Sequence, residues 1–197
     1  MKRLVMMAVL ATVLLVTSIA QAADYGLYVA GRAGYGIVMD VQDDTNPDAE
    51  ATLDAGYNFG LALGVDLGLL RAEGEITYAA YDFDQYVTSS GTTDLDGDAT
   101  AFRVMANVYH DFTVLPILSP YVGVGLGYLK SEAEIKGLGT TIEDDSDEFA
   151  FQFMAGVGVE LTDEFIVDVG YRFFGTSELD EELMTHDLVV GIRYVIF

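Results

Sequence analysis

The 197 residues include no cysteine and no tryptophan, three prolines, and nine basic residues against 32 acidic ones. Without Cys there are no disulfides, no thiolate metal sites and no lipid attached through an N-terminal Cys. The shortage of cations argues against nucleic acid and against direct contact with anionic headgroups, because both need Lys and Arg to neutralise phosphate. Long apolar runs are scarce too. After Ile19 no stretch reaches the roughly 20 residues a spanning helix requires, so any bilayer crossing has to be made by strands.

The N-terminus reads as an address. Lys2 and Arg3 precede an apolar run over residues 4–19, and Ala20-Gln21-Ala22 is a small-x-small cleavage site. Residues 1–22 are therefore expected to be a cleavable signal for Sec export, with residues 23–197 as one mature domain. The run is short for a membrane anchor, and the cleavage site follows at once. All 32 acids lie beyond residue 22 while two of the nine basic residues lie before it, so the mature chain carries a net charge of about −25.

What the mature chain has in abundance is alternation. Phe149, Phe151, Phe153, Ala155, Val157, Val159 and Leu161 are interleaved with Ala150, Gln152, Met154, Gly156, Gly158 and Glu160. A strand has a side-chain period of two, so one face of this segment is apolar and the other small or polar. Seven more segments share the pattern, and together the eight cover residues 26–38, 55–67, 70–81, 100–112, 121–130, 149–161, 165–175 and 187–197. The connections alternate between long and short. The long ones, 39–54, 82–99, 131–148 and 176–186, are acidic. Short turns at one end and long loops at the other are the habit of outer-membrane barrels. The fold class expected is all-β, an eight-stranded antiparallel transmembrane up-and-down barrel. A soluble sandwich also alternates, but its solvated face would not be as glycine-rich as Gly123, Gly125, Gly127, Gly156, Gly158 and Gly170 make the polar face here.

The segments 107–112 (Asn-Val-Tyr-His-Asp-Phe), 120–128 (Pro-Tyr-Val-Gly-Val-Gly-Leu-Gly-Tyr), 170–174 (Gly-Tyr-Arg-Phe-Phe) and 191–194 (Gly-Ile-Arg-Tyr) resemble, in order and spacing, the small outer-membrane β-barrel family of opacity-type and related surface antigens, eight-stranded barrels of the OmpA/OmpX kind. The resemblance implies a Gram-negative outer membrane, surface-exposed adhesive or antigenic loops, and no catalytic residue or cofactor. It also implies an assembly signal at the C-terminus, here Tyr194 and Phe197. Phe197 is out of phase with the outward set Leu188, Val190, Ile192, Tyr194 and Ile196, so it either lies beyond the strand or follows a bulge.

By phase, Arg32, Arg71, Arg103, Arg172 and Arg193 fall on the inner face, together with Asp66, Glu73, Glu75, Asp111, Glu160, Asp168 and Asp187. Two readings compete for them, an ion pathway and a set of buried ion pairs filling a narrow lumen. An eight-stranded interior is just wide enough for side chains, and buried charges have to be paired, so the structural network is the expectation. In the acidic loops, 94–98 (Asp-Leu-Asp-Gly-Asp) superficially resembles a calcium loop but lacks the terminal Glu, and 143–148 could hold divalent cations weakly. His110 and His186 fall near opposite ends of the barrel, and Ser177 with Thr185-His186-Asp187 is the one rim grouping that could attempt lipid chemistry.

The function expected is therefore that of a non-enzymatic outer-membrane surface protein, an anchor presenting acidic extracellular loops as an adhesin or antigen. A narrow channel and a lipid A-modifying enzyme are the other classes. The partners expected are outer-membrane lipid and lipopolysaccharide, the barrel-assembly machinery, and divalent cations or a host ligand at the loops, with no nucleic acid. No second domain follows Phe197 in this sequence, which disfavours an envelope-tethering role.

Overall fold

A computed structural model describes residues 26–38, 41–42, 50–53, 55–88, 91–112, 117–137, 140–176 and 184–196. The region expected to be a signal peptide, residues 1–22, lies outside these, as do Ser177 and Phe197. Ten strands occur in chain order: β1 Gly26–Val38, β2 Val41–Gln42, β3 Glu50–Leu53, β4 Gly56–Asp66, β5 Leu70–Thr88, β6 Gly91–Asp111, β7 Leu118–Gly137, β8 Thr140–Glu160, β9 Phe165–Thr176 and β10 Met184–Val195. Eight of them, β1 and β4 to β10, form a closed antiparallel wall in which β1 pairs with both β4 and β10. The short strands β2 and β3 stand outside that wall and join it through β5.

Following the register once round the wall gives the stagger. Tyr28 leads to Gly64, Glu73, Asn107, Gly125, Gln152, Phe174 and Thr185, and Thr185 returns to β1 at Val38, ten residues above the start. A stagger of this kind tilts the strands by about 35–45° and leaves an interior that side chains fill. It also brings together residues far apart along their own strands.

The two faces separate sharply. Leu61, Leu126 and Leu188 are 65%, 58% and 61% exposed, whereas Arg103 and Asp187 are 0% exposed. Such an inversion is stable only where the medium outside is hydrocarbon. Aromatic and aliphatic groups also ring the lower rim, among them Phe112, Phe165, Leu69, Ile117 and Leu161. The lower turn at 67–69 is tight: Gly68 adopts φ +90° and its N–H donates to Asp66 Oδ1 at 2.8 Å. Across β7, β8 and β9, Tyr121 lies where Cβ atoms on Gly156 and Gly170 would meet its ring and hydroxyl, so both glycines leave the space this phenol fills.

One sequence expectation is corrected. The acidic segments 82–99 and 131–148 are not open loops. β5 and β6 stay paired up to Thr88 opposite Gly91, and β7 and β8 up to Gly137 opposite Thr140, leaving two-residue links. Acid density suggested loop, but Tyr86, Val87, Thr92, Thr93, Ile135, Thr141 and Ile142 carry strand propensity, and a two-residue link is the preferred hairpin connection.

Candidate functional site

The lumen is the most chemically elaborate part of the molecule, and its charges lie in layers. In the middle layer Arg32 from β1 reaches two carboxylates of β5, with Nη2 2.7 Å from Glu73 Oε2 and Nη1 3.1 Å from Glu75 Oε2. Arg172 from β9 closes on the other oxygen of Glu75 at 2.8 Å. Neutral donors complete the shell. Tyr28 and Tyr109 hydroxyls donate to Glu73 at 3.0 and 3.2 Å, Thr77 donates to Glu75 at 2.7 Å, and Asn107 donates to Glu75 at 3.1 Å while accepting from Gln152 at 2.7 Å. Below this layer Arg193 grips Asp168 through two nitrogens at 2.7 and 2.9 Å. Arg71 donates to Asp111 at 2.6 Å with its guanidinium 4.5 Å from the Tyr109 ring centroid. Above it Arg103 pairs with Asp187 at 3.4 Å, bonds the Tyr81 hydroxyl, and stacks 3.9 Å from the Phe174 centroid.

Five arginines thus meet five carboxylates. Of the seven acids assigned to the inner face by phase, Asp66 and Glu160 lie apart from these pairs. Asp66 is half-buried at the end of β4, where its carboxylate caps the turn. Glu160 is a correction: it has the inward phase, but it ends β8 at the rim and is exposed, 3.5 Å from the Ser119 hydroxyl. Phase assigns a side, whereas depth in the barrel decides whether that side is lumen or solvent.

Several lumen residues escaped sequence reasoning. Tyr28, Tyr81, Met105, Leu129 and Phe174 are all nearly or fully buried, and all but Tyr28 belong to an apolar cluster with Val38, Ala79, Ala101 and Ala150. Parity with Arg32 would have found Tyr28, but its neighbours Leu27 and Val29 are apolar and hide the alternation. The pair Phe173–Phe174 hides Phe174 in the same way.

The rim grouping considered for lipid chemistry is divided by the wall. Thr185 and Asp187 point into the lumen at 0% exposure, while His186 between them is on the other face, bonded through Nδ1 to the Tyr171 hydroxyl and 5.3 Å from the Phe173 ring. His110 packs edge-on against Phe112. Ser177 lies outside the described residues. Asp94, Asp96 and Asp98 are strung along β6, opposite Gln85, Lys136 and both Asp82 and Glu134, rather than wrapped in a calcium loop. Among the described residues no three potential metal ligands gather. At the C-terminus Tyr194 is on the outer face against Phe165, at 5.0 Å between centroids, and β10 ends at Val195.

A lumen packed in this way predicts electrical silence. Mature protein reconstituted in planar bilayers is expected to show no discrete conductance steps, and reproducible openings of the wild-type chain would refute the filled-lumen account.

Comparison with known proteins agrees with this geometry. The family described as outer membrane protein beta-barrel domain matches residues 8–195. An uncharacterised protein of Brucella abortus is 29% identical over 176 residues, covering 72% of this chain and 62% of its own length. The chain thus spans about three fifths of the curated relatives it matches. Among solved structures, Neisserial surface protein A superposes with a TM-score of 0.58 at 18% identity, over 85% of this chain and 96% of that one. The attachment invasion locus protein Ail of Yersinia pestis, solved with the heparin analogue sucrose octasulfate, superposes with 0.53 at 18% identity, over 86% and 99%.

Proposed function

The chain belongs to the outer membrane protein beta-barrel family, and from that premise we propose that it is a non-enzymatic surface protein whose barrel anchors acidic extracellular ladders for contact with a surface ligand. One observation carries this reading, the partition of charge. Five of the seven basic residues beyond residue 22 are arginines neutralised inside the lumen, and the other two are Lys130 and Lys136. Of the 32 acids five meet those arginines, and many of the rest belong to the strand pairs β5–β6 and β7–β8 where these continue past the apolar band. An acidic projection on a neutral, filled anchor is suited to recognition rather than to transport or turnover.

The same partition sets partner chemistry. Outer-membrane lipid meets the apolar face. Lipopolysaccharide phosphates are reached through divalent cations rather than through Lys or Arg. The C-terminal strand with Tyr194 is read by the barrel-assembly machinery after Sec export. Ail was solved with a polyanion, and this chain, with two lysines beyond residue 22 against 32 acids, is matched to cationic partners instead.

The test replaces residues 131–146 by Asn-Gly, so that Lys130 and Asp147, already opposite one another, become the last pair of a closed hairpin. The variant barrel is expected to remain heat-modifiable on gels and to fractionate with the outer membrane. Attachment of whole cells to host cells or a protein-coated surface is expected to fall at least tenfold. Unchanged attachment rejects the reading, and a shift in the lipid A mass spectrum on overexpression would make the protein an enzyme instead.

A further inference from the structure

We propose that the lower, periplasmic rim of the barrel is a contact surface for phospholipids that carry a primary ammonium, and that the turn at 160–165 holds the ammonium of phosphatidylethanolamine. This surface lies at the end of the molecule opposite the acidic ladders, and its role goes beyond the reading above.

Short connections of outer-membrane barrels lie on the periplasmic side, which fixes the orientation of this rim. Apolar tips line it. Leu69 between β4 and β5, Ile117 before β7 and Leu161 after β8 are 62%, 59% and 63% exposed. The Glu160 N–H donates to the Ile117 carbonyl at 3.1 Å, so two of these tips belong to adjoining turns. Tips of this kind, set beyond the ring pair Phe165–Tyr194, are stable when sunk into the leaflet rather than held in water. Depth then decides the surroundings of the acids. Glu160, Asp163 and Glu164 flank Leu161 in sequence, and all three are exposed. Successive Cα atoms are about 3.8 Å apart, so a depth that covers Leu161 leaves these carboxylates among the headgroups, not in bulk water.

Local hydrogen bonds fix the turn. Thr162 Oγ1 accepts from the N–H groups of Glu164 and Phe165 at 3.2 and 3.1 Å, and its hydroxyl donates to Glu164 Oε2 at 3.1 Å. The Val195 N–H donates to the Glu164 carbonyl at 2.8 Å, which ties the turn to the end of β10. The next side chain, Phe165, lies with its ring centroid 5.0 Å from that of Tyr194, and both rings are exposed. A carboxylate accepts N–H bonds from an ammonium, and an aromatic face attracts its charge, so the two together suit a primary amine.

Charge complementarity selects the headgroup. Among the described residues of this rim no Lys or Arg is exposed. The nearest, Arg71 and Arg193, are buried and held by Asp111 and Asp168. Phosphatidylglycerol brings a net negative charge and no cation, so the carboxylates repel it. Phosphatidylcholine is neutral overall, but its quaternary nitrogen has no N–H to donate. Phosphatidylethanolamine is neutral overall and joins the positive charge to three donors on one nitrogen.

The experiment places the mature chain in nanodiscs of equimolar phosphatidylethanolamine and phosphatidylglycerol and identifies the lipids it retains by native mass spectrometry. Retention of the ethanolamine lipid is expected to exceed that of the glycerol lipid about threefold, the size of an exposed ion pair. The double variant Asp163→Asn, Glu164→Gln is expected to lose this excess. Asp163→Asn alone leaves the Thr162–Glu164 bond in place and is expected to keep part of it. The matched variant Glu143→Gln, Asp144→Asn removes two acids at the other end of the barrel and is expected to keep all of it. Band shifts on unheated gels confirm that each variant is folded. In a second disc phosphatidylcholine replaces phosphatidylethanolamine, and its excess over phosphatidylglycerol is expected to be at least twofold smaller. Equal retention of the two lipids by the unaltered chain overturns the proposal. An excess that survives the 163/164 double variant, or that disappears in the 143/144 variant, assigns the contact to another surface and overturns it too. Equal excesses for choline and ethanolamine lipids overturn it in favour of simple avoidance of anionic headgroups.

Discussion

Replacing Glu73 by Ala is expected to lower the unfolding free energy of the barrel by about 3–5 kcal/mol, the range for removing one partner of a buried ion pair. Glu73 is the hub of the lumen. Its side chain is 0% exposed and receives Arg32 at 2.7 and 2.8 Å, the Tyr28 and Tyr109 hydroxyls, and the Asn107 amide at 3.4 Å. Truncation strands both guanidinium contacts from Arg32 and several neutral donors at once, in a space where water does not substitute freely. Glu75 retains part of Arg32, which keeps the loss from being larger. Glu73→Gln keeps the shape and an acceptor but not the charge, so a smaller loss is expected. Glu160→Ala serves as the control, since its carboxylate is exposed and lies 3.5 Å from the Ser119 hydroxyl; a change within about 0.5 kcal/mol is expected. Urea titration of the mature protein in lipid vesicles, followed by the band shift on unheated gels, reads all three. A Glu73→Ala loss under about 1 kcal/mol would mean that the lumen network contributes little to stability.

Gly127→Val is expected to prevent the barrel from forming. A Cβ at Gly127 would lie 2.9 Å from Met105 Cα and 2.7 Å from Met105 Sδ, and closer still to the Val104 carbonyl oxygen. Two of these three atoms belong to the backbone of β6, and β6 is held to β7 there by the pairing of Met105 with Gly127. A side chain in the way can rotate; a backbone atom moves only if the ladder opens. The cost is expected to exceed about 3 kcal/mol, the upper end for overpacking a well-filled interior. Gly31→Ala is the matched control, because the nearest atom to its Cβ is Leu61 Cδ2 at 4.0 Å, an ordinary contact. On unheated gels the Gly31 variant is expected to run as the folded form and Gly127→Val as the unfolded form. A folded, heat-modifiable Gly127→Val barrel would show that β6 and β7 separate more readily than their register implies.

Both predictions depend on features that differ in how far the sequence revealed them. The inward placement of Arg32, Arg71, Arg103, Arg172 and Arg193 could be read from parity alone. Their partners could not. Arg103 takes Asp187 from 84 residues away, and Arg32 takes Glu73 from 41 residues away. Nothing local links these residues. The ladders above the membrane were obscured for a different reason. In a segment such as 131–148 seven acids dominate the composition, while the strand tendency of Ile135, Thr141 and Ile142 is a weaker signal spread over fewer residues.

The eight strands of the wall, the inward parity of its arginines and the excess of acid over base are all properties of the chain itself, because alternation is a local consequence of extended backbone geometry. Which carboxylate neutralises which arginine, and that Glu160 stays in solvent despite its inward phase, were decided only on closure. Those outcomes depend on a stagger of ten residues around the barrel, and the stagger comes into being only when β1 meets β10.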